Sequence, residues 1–263
     1  MRNTTRKHSL THISQTHTQI YRHPGQLTPT PPTPTPKPLN PLQASPLIVL
    51  HELYHASELA RAAAGPVWAN RVGAIYGLLR PLLHHHDAGV REHAVLVVRN
   101  LAVWQGDLLD RVLEPSVKDL VRLARDPTGE VTALADEALQ AMVRSLDSER
   151  MLDTLLAHQK GVLRQSDAPE NMTLELQSSV KAAGKIMSRL PGEVTLRWVP
   201  RFLPYLTAAL NYPVADVRKA AVFALVDAWS SAGDTMRTYL EPSLKDSQMR
   251  LVEIYLARTR GAT

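Results

Sequence analysis

A valine followed four residues later by an alanine recurs along this chain at a spacing that constrains the fold more than any other feature. The pairs are Val90/Ala94, Val131/Ala135 and Val217/Ala221. Each follows a turn of acidic and small residues, in "DAGVREHAVLVVRNLA" (87–102), "DPTGEVTALADEALQAMV" (126–143) and "VADVRKAAVFALVDAW" (214–229). The valines stand 41 and then 86 residues apart, and 86 is two steps of 43. The intermediate step falls on Leu174, followed by Ser178 and Ala182, and one step of 41 upstream of Val90 lies Val49. A fixed period of this length means units that cannot bury their apolar faces alone and must stack on their neighbours.

Between these segments lie others with a one-sided apolar stripe. "VWANRVGAIYGLLRPLL" places Trp68, Val72, Ile75, Leu79 and Leu82 at helical spacing, and "DLLDRVLEPSVKDLVRLA" does so with Leu109, Val112, Val117, Leu120 and Leu123. "RMLDTLLAHQKGVL" and "LRWVPRFLPYLTAAL" complete the set. Pro81, Pro115 and Pro204 fall inside these stripes, where each is expected to remove a hydrogen bond and kink its helix. Two helices per unit of 40–47 residues is the HEAT-type pattern. The expected fold is all-α, a solenoid of about five HEAT-like hairpins over residues 46–260 that ends on the helix "SQMRLVEIYLAR". Stacking also explains Ala220–Val226, seven apolar residues without a polar face, as a helix sandwiched between neighbours.

Composition narrows what such a body does. The chain has no cysteine, so a disulfide scaffold and a thiolate zinc site are excluded, and a reducing compartment is compatible. No apolar run approaches the roughly 20 residues that cross a bilayer. The net charge of +5 comes from residues 1–45, which hold Arg2, Arg6, Lys7, Arg22 and Lys37 and no acid; the remainder is balanced. A neutral body argues against a nucleic-acid-binding solenoid. Nine of the 19 prolines lie within residues 1–46, including "TPTPPTPTPKP" at 28–38. Residues 1–45 are therefore expected to be a disordered basic linker, and 46–263 the folded domain. A mitochondrial presequence shares the basic, acid-free composition, but "THISQTHTQIY" lacks an apolar face.

Two constellations invite a catalytic reading. "HELYH" at 51–55 matches the zinc-protease helix, in which His51 and His55 would bind metal and Glu52 act as base. A working site needs a third ligand, and Glu58 and Arg61 occupy the places where the longer motif continues. We read the segment as the wet face of a helix whose Val49 and Leu53 are core. "HHH" at 84–86 ends a helix, where imidazoles interact favourably with the helix dipole; three consecutive histidines point in three directions and cannot chelate one ion. No enzyme, cofactor or metal is expected.

The carboxy-terminal third carries a more specific pattern. "VADVRKAAVFALVDAW", followed by a helix with Arg250, Leu251, Tyr255 and Arg258, closely resembles the final repeats of a CLASP-family TOG domain. The segments opening at Trp68, "DPTGEVTALADEALQAM" and "PRFLPYLTAALNYPVADVRK" resemble earlier repeats in order, so the resemblance spans about 48–260. It implies binding of αβ-tubulin or the microtubule lattice by a monomeric domain, through a narrow edge formed by the turns within repeats. It further implies catastrophe suppression and rescue, and a place in the cytoplasm on microtubules, the spindle and kinetochores; no nucleic acid or membrane is expected. Carried over by position, the edge comprises the turns 85–90, 126–130, 166–172 and 211–216. Its candidate residues are Arg91, Arg218 and Lys219, with Asp87, Asp126, Asn211 and Asp216 in the turns. Trp68 is a candidate either for tubulin contact or for packing between units, and Trp104, Trp198 and Trp229 are expected to be core or partly buried. The third repeat departs from the pattern at Thr132, the fourth turn is acidic, and the first helix of the first repeat would fall in the Pro/Thr linker. Arg218 and Lys219 sit in a first helical turn where the dipole opposes cations, with Asp216 read as the cap. A HEAT-repeat scaffold for a non-tubulin partner keeps the fold and discards the edge.

Overall fold

The computed structural model describes residues 45–62, 72–164 and 170–261. The linker expected at 1–45, Trp68, and most of the fourth turn lie outside the described residues. Twelve helices are described: α1 (Pro46–Ala62), α2 (Val72–Leu82), α3 (Ala88–Trp104), α4 (Gly106–Leu109), α5 (Leu113–Arg122), α6 (Gly129–Ser145), α7 (Ser148–Leu163), α8 (Glu170–Met187), α9 (Gly192–Leu210), α10 (Ala215–Ala232), α11 (Met236–Leu240) and α12 (Asp246–Gly261). They pair as hairpins, α2 with α3, α4 and α5 with α6, α7 with α8, and α9 with α10. The second helices form one continuous row, α1 against α3, α3 against α6, α6 against α8, α8 against α10 and α10 against α12. This is the expected α-solenoid.

The repeat signal reports the second helix of each hairpin. Those helices begin at residues 46, 88, 129, 170 and 215. Val90, Val131 and Val217 are each the third residue of their helix and fully buried, as are Ala94, Ala135 and Ala221 one turn later. Val49 and Leu53 are core as well. The fourth repeat corrects the expected register. Leu174 is 45 % exposed, while Leu176 is fully buried. The helix start at Glu170 puts Met172 and Leu176, rather than Leu174 and Ser178, in phase with the other pairs. The step to the next unit is then longer, which takes up the difference from an even 43.

Two other expectations about helix ends shift. The stripe from Leu109 to Leu123 is not one helix: α4 ends at Leu109, a 3-10 turn covers Asp110–Val112, and α5 starts at Leu113. Pro115 thus occupies the first turn of α5, where a missing N–H costs nothing. Pro81 lies in the last turn of α2, and Pro200 and Pro204 are the prolines in a helix interior, both in α9. Asp216 does not cap α10; Val214 holds the N-cap position without a side-chain bond, and Asp216 lies exposed within the first turn. Its carboxylate still faces the positive end of the dipole.

Helix α10 is covered by α8, α9 and α12, and the run Ala220–Val226 is buried except at Phe223. Phe223 is 40 % exposed and meets Tyr255 of α12 edge-on at 5.2 Å between ring centres. The tight α8–α10 contact depends on Gly184: a Cβ there would stand 2.7 Å from the Ala224 Cα. Gly184→Val should therefore force the helices apart and lower the unfolding free energy by about 1–3 kcal/mol. Gly161→Ala in α7, where nothing lies within 4 Å, should be neutral or slightly stabilising, and urea midpoints of the two variants check the contrast. The α10 C-terminus is closed by Gly233 at φ +70°, a left-handed conformation open to glycine at little cost.

Candidate protein-binding edge

The turns that join the two helices of successive hairpins lie at one end of the stack, and their local chemistry differs from turn to turn. In the second repeat, Asp87 caps α3 by accepting the Val90 N–H at 3.0 Å, and its own N–H donates to His85 Nδ1. Arg91 turns back into this structure instead of projecting from it. Its Nη1 donates to the carbonyls of His85 and His86 at 2.8 and 3.0 Å. Nε and Nη2 form a fork onto Asp126 at 2.6 and 2.9 Å, and Nη2 also reaches Thr128. All five guanidinium N–H donors are engaged. The side chains of Arg91 and Asp126 are 10 % and 5 % exposed, so the pair is an internal strut between the second and third turns. Burial alone would raise the Asp126 carboxyl, but the Arg91 fork and the Thr128 N–H hold it below the ordinary aspartate range.

The fifth repeat repeats half of that arrangement. Arg218 Nη1 donates to the carbonyls of Tyr212 and Pro213 at 2.9 and 2.5 Å, the same sequence separations that Arg91 spans. No carboxylate of the next turn meets it among the described residues, and it remains exposed. Lys219 beside it is exposed with no partner among the described residues. Asn211 ends α9, its Nδ2 donating to Thr207 O and its Oδ1 accepting from Gln248 of α12 at 3.2 Å. Of the basic candidates, Arg218 and Lys219 therefore face solvent and Arg91 does not.

The second to fourth repeats hold a polar layer that the sequence pattern did not single out. Asp119, fully buried in α5, accepts from the Tyr76 hydroxyl and from Arg80 Nε, both at 2.9 Å, with His84 at 3.6 Å. Burial works against its ionisation, but His84, Tyr76 and Arg80 together hold the carboxyl below its usual range. Nearby, Glu175 of α8 meets Arg125 at 3.2 Å and His158 at 3.4 Å. Burial pushes Glu175 up, and Arg125 and Arg122 offset part of that. His158 is driven down to about 4 by burial and by the cations Arg122 and Lys118. A histidine held neutral in the fold and titrating near 6.5 unfolded withdraws stability as pH falls from about 6.5 towards 4. The difference in unfolding free energy between wild type and His158→Gln should accordingly change by about 2 kcal/mol between pH 7.5 and 5, read from urea titrations.

The remaining sequence candidates separate cleanly. His51, Glu52 and His55 lie on the exposed face of α1, with the two Nε2 atoms 3.2 Å apart. Among the described residues no group of three His, Cys, Asp or Glu that could hold a metal is assembled. His85 is buried in the second turn while His84 and His86 are exposed. Trp198 and Trp229 are buried, but Trp104 at the end of α3 is 56 % exposed, contrary to its expected packing. Among the described residues nothing covers it after the chain breaks from α3 into the short α4.

Comparison with known proteins agrees with this architecture. Residues 202–231 match the HEAT repeat family. The chain is 27 % identical over 196 residues to a CLIP-associated protein of Arabidopsis thaliana, and 26 % over 194 to CLIP-associating protein 1-A of Xenopus laevis. Each match covers 74 % of this chain but 13 % of the relative, so the chain corresponds to a small part of those proteins. Among solved structures, the backbone superposes on a TOG domain of crescerin with a TM-score of 0.62 at 17 % identity, covering 82 % of this chain and 91 % of the other. It superposes on the MAST/Orbit N-terminal domain with a TM-score of 0.61 at 16 % identity, covering 86 % and 99 %. The body has the TOG-type HEAT-repeat fold and is similar to a segment of the CLIP-associating proteins. In this fold the strut from Arg91 to Asp126 fixes adjacent turns in relative position, while Arg218 fixes its own turn and keeps its charge at the surface. The basic residues Arg122 and Arg125 precede the third turn rather than follow it, and Thr132 stands where the second and fifth repeats carry Arg91 and Arg218. The string "VRLARDP" held that signal.

Proposed function

We propose that this domain binds αβ-tubulin, free or in the microtubule lattice, through the turn edge, and so regulates microtubule growth by suppressing catastrophe and promoting rescue. It acts as a binding module without chemistry of its own. The observation that carries the reading is the exposed pair Arg218 and Lys219 on a turn held rigid by two carbonyl bonds, within the CLASP-like "VRKAAVFALV" string. Cations on a pre-organised frame orient an acidic partner and accelerate its encounter. The relatives' names and the crescerin array, which regulates microtubules, support the choice of partner. On this reading Arg91 and Asp126 position the edge, Asp87 and Asn211 shape its turns, and Trp68 packs between units or adds a contact. The protein then belongs to the microtubule cytoskeleton, including the spindle and kinetochores, and residues 1–45 serve as a basic linker that adds non-specific attraction. Microtubule co-sedimentation with and without residues 1–45 tests this: the domain pellets in both cases, more weakly without the linker. Failure of both forms to pellet or to co-elute with free tubulin would refute the proposal.

A further inference from the structure

Two clefts of about 350 and 460 Å³ lie side by side on the turn edge and share three residues, His84, Arg122 and Arg125. The first runs between the second and third turns. The second continues between α5 and α7, with Lys118 at its mouth and His158 and Glu175 within. Together they form one trough across the second to fourth repeats.

Charge in the trough is layered. The acids lie at the bottom, with the side chains of Asp119, Asp126 and Glu175 at 0, 5 and 4 % exposed. The cations lie at the rim, with Lys118, Arg122 and Arg125 at 37, 44 and 45 % exposed; Lys118 is neutralised there by Glu114 at 2.6 Å, which leaves the two arginines to set the field. Among the described residues Arg122 has one carboxylate contact, at 3.8 Å to Asp119, and Arg125 one, at 3.2 Å to Glu175. Each fork therefore retains donors for a ligand. His158 Nε2 is buried without a hydrogen-bond partner. A solvent-filled trough with cations outermost and low-dielectric walls focuses a positive field outward.

We propose that this trough binds an extended acidic peptide segment, whose carboxylates engage Arg122 and Arg125, with Lys118 and His84 flanking. Arginine forks match carboxylate geometry in a bidentate way that a diffuse basic surface does not. The rim cations follow one another along the third repeat, Lys118 and Arg122 one turn apart on α5 and Arg125 in the 3-10 turn that continues it, so Lys118 and Arg122 are about 6 Å apart along the axis. A strand rising roughly 3.3 Å per residue covers that interval in two residues, so carboxylates on one face of the strand reach successive cations. Among the described residues neither cleft is lined by Trp, Tyr or Phe, the stacking platform that single-stranded nucleic acid uses. The inference extends the tubulin reading, since it adds to the same edge a pocket for an acidic segment of the partner.

The experiment uses the full chain and a fluorescein-labelled octaglutamate peptide, followed by anisotropy, with octaglutamine as control. Wild type should bind octaglutamate and not octaglutamine. Arg122→Glu with Arg125→Glu should weaken binding by about tenfold or more, and Arg189→Glu, in the exposed turn after α8, by less than about twofold; Arg218→Glu with Lys219→Glu is made for the tubulin titrations. If the first pair lowers the helical circular dichroism, Arg122→Gln with Arg125→Gln decides, with a loss of about threefold expected. Equal affinity in wild type and the trough variants would overturn the proposal, as would equal binding of octaglutamine. Displacement of the peptide by equimolar inorganic phosphate would also overturn it, because that marks a single-anion site. Tubulin titrations of the same proteins run in parallel: loss of tubulin binding only in the Arg218/Lys219 variant contradicts the trough as a tubulin contact and leaves the edge reading intact.

Discussion

Arg91→Ala is expected to lower the unfolding free energy by about 3–5 kcal/mol, the cost of removing one partner from a buried ion pair. The change strips Asp126 of its fork and leaves a carboxylate 5 % exposed without compensation. It also frees the carbonyls of His85 and His86 and loosens the tie between two repeats. Arg91→Lys should recover only part of the loss, because an ammonium cannot make the planar two-point contact. Chemical denaturation with circular dichroism reads the effect. In a solenoid each unit rests on its neighbours, so damage at this junction should be felt beyond the second and third repeats. A loss below about 1 kcal/mol would mean that the strut is ornamental and that Arg91 belongs with the exposed cations.

Arg218→Glu with Lys219→Glu should have the opposite profile. Reversing both charges places acid against an acidic partner, a penalty of several kcal/mol that should reduce tubulin affinity by about a hundredfold or more. The effect on folding should be about 1 kcal/mol, because Arg218 is exposed and loses only its bonds to the Tyr212 and Pro213 carbonyls. Lys219→Glu alone avoids even that, since Lys219 has no partner among the described residues. On the proposed reading, the pair of arginines at equivalent places in two repeats divides the work, one holding the edge together and the other meeting the partner.

That division explains how far the sequence could be read. The solenoid was legible because a buried second helix must repeat its apolar phase once per unit, and Val90, Val131 and Val217 do so. The fourth unit was misphased because Leu174 is apolar but lies one step round the helix from the buried face, and a period inferred from its neighbours could not detect a longer turn. The single-helix reading around Pro115 failed because an apolar stripe survives a 3-10 break. At the site, the positions of the turns were legible and the fate of their side chains was not. Nothing local distinguishes Arg91 from Arg218; the difference is an acid 35 residues away, Asp126, that only stacking brings within reach. The same holds for Arg122 and Arg125, whose importance comes from the buried Asp119 and Glu175 beneath them. The cations of α10 that oppose the helix dipole cost about 0.3–1 kcal/mol, a term that packing on three sides outweighs.

The central claim is that the exposed cations of the fifth turn bind tubulin while their counterpart in the second turn holds the fold. Size-exclusion co-elution of αβ-tubulin with wild type and with Lys219→Glu tests it most directly, with unfolding monitored on the same samples. The account predicts a shared peak for wild type, separate peaks for Lys219→Glu, and the same urea midpoint for both. Co-elution of tubulin with the variant as complete as with wild type would contradict it.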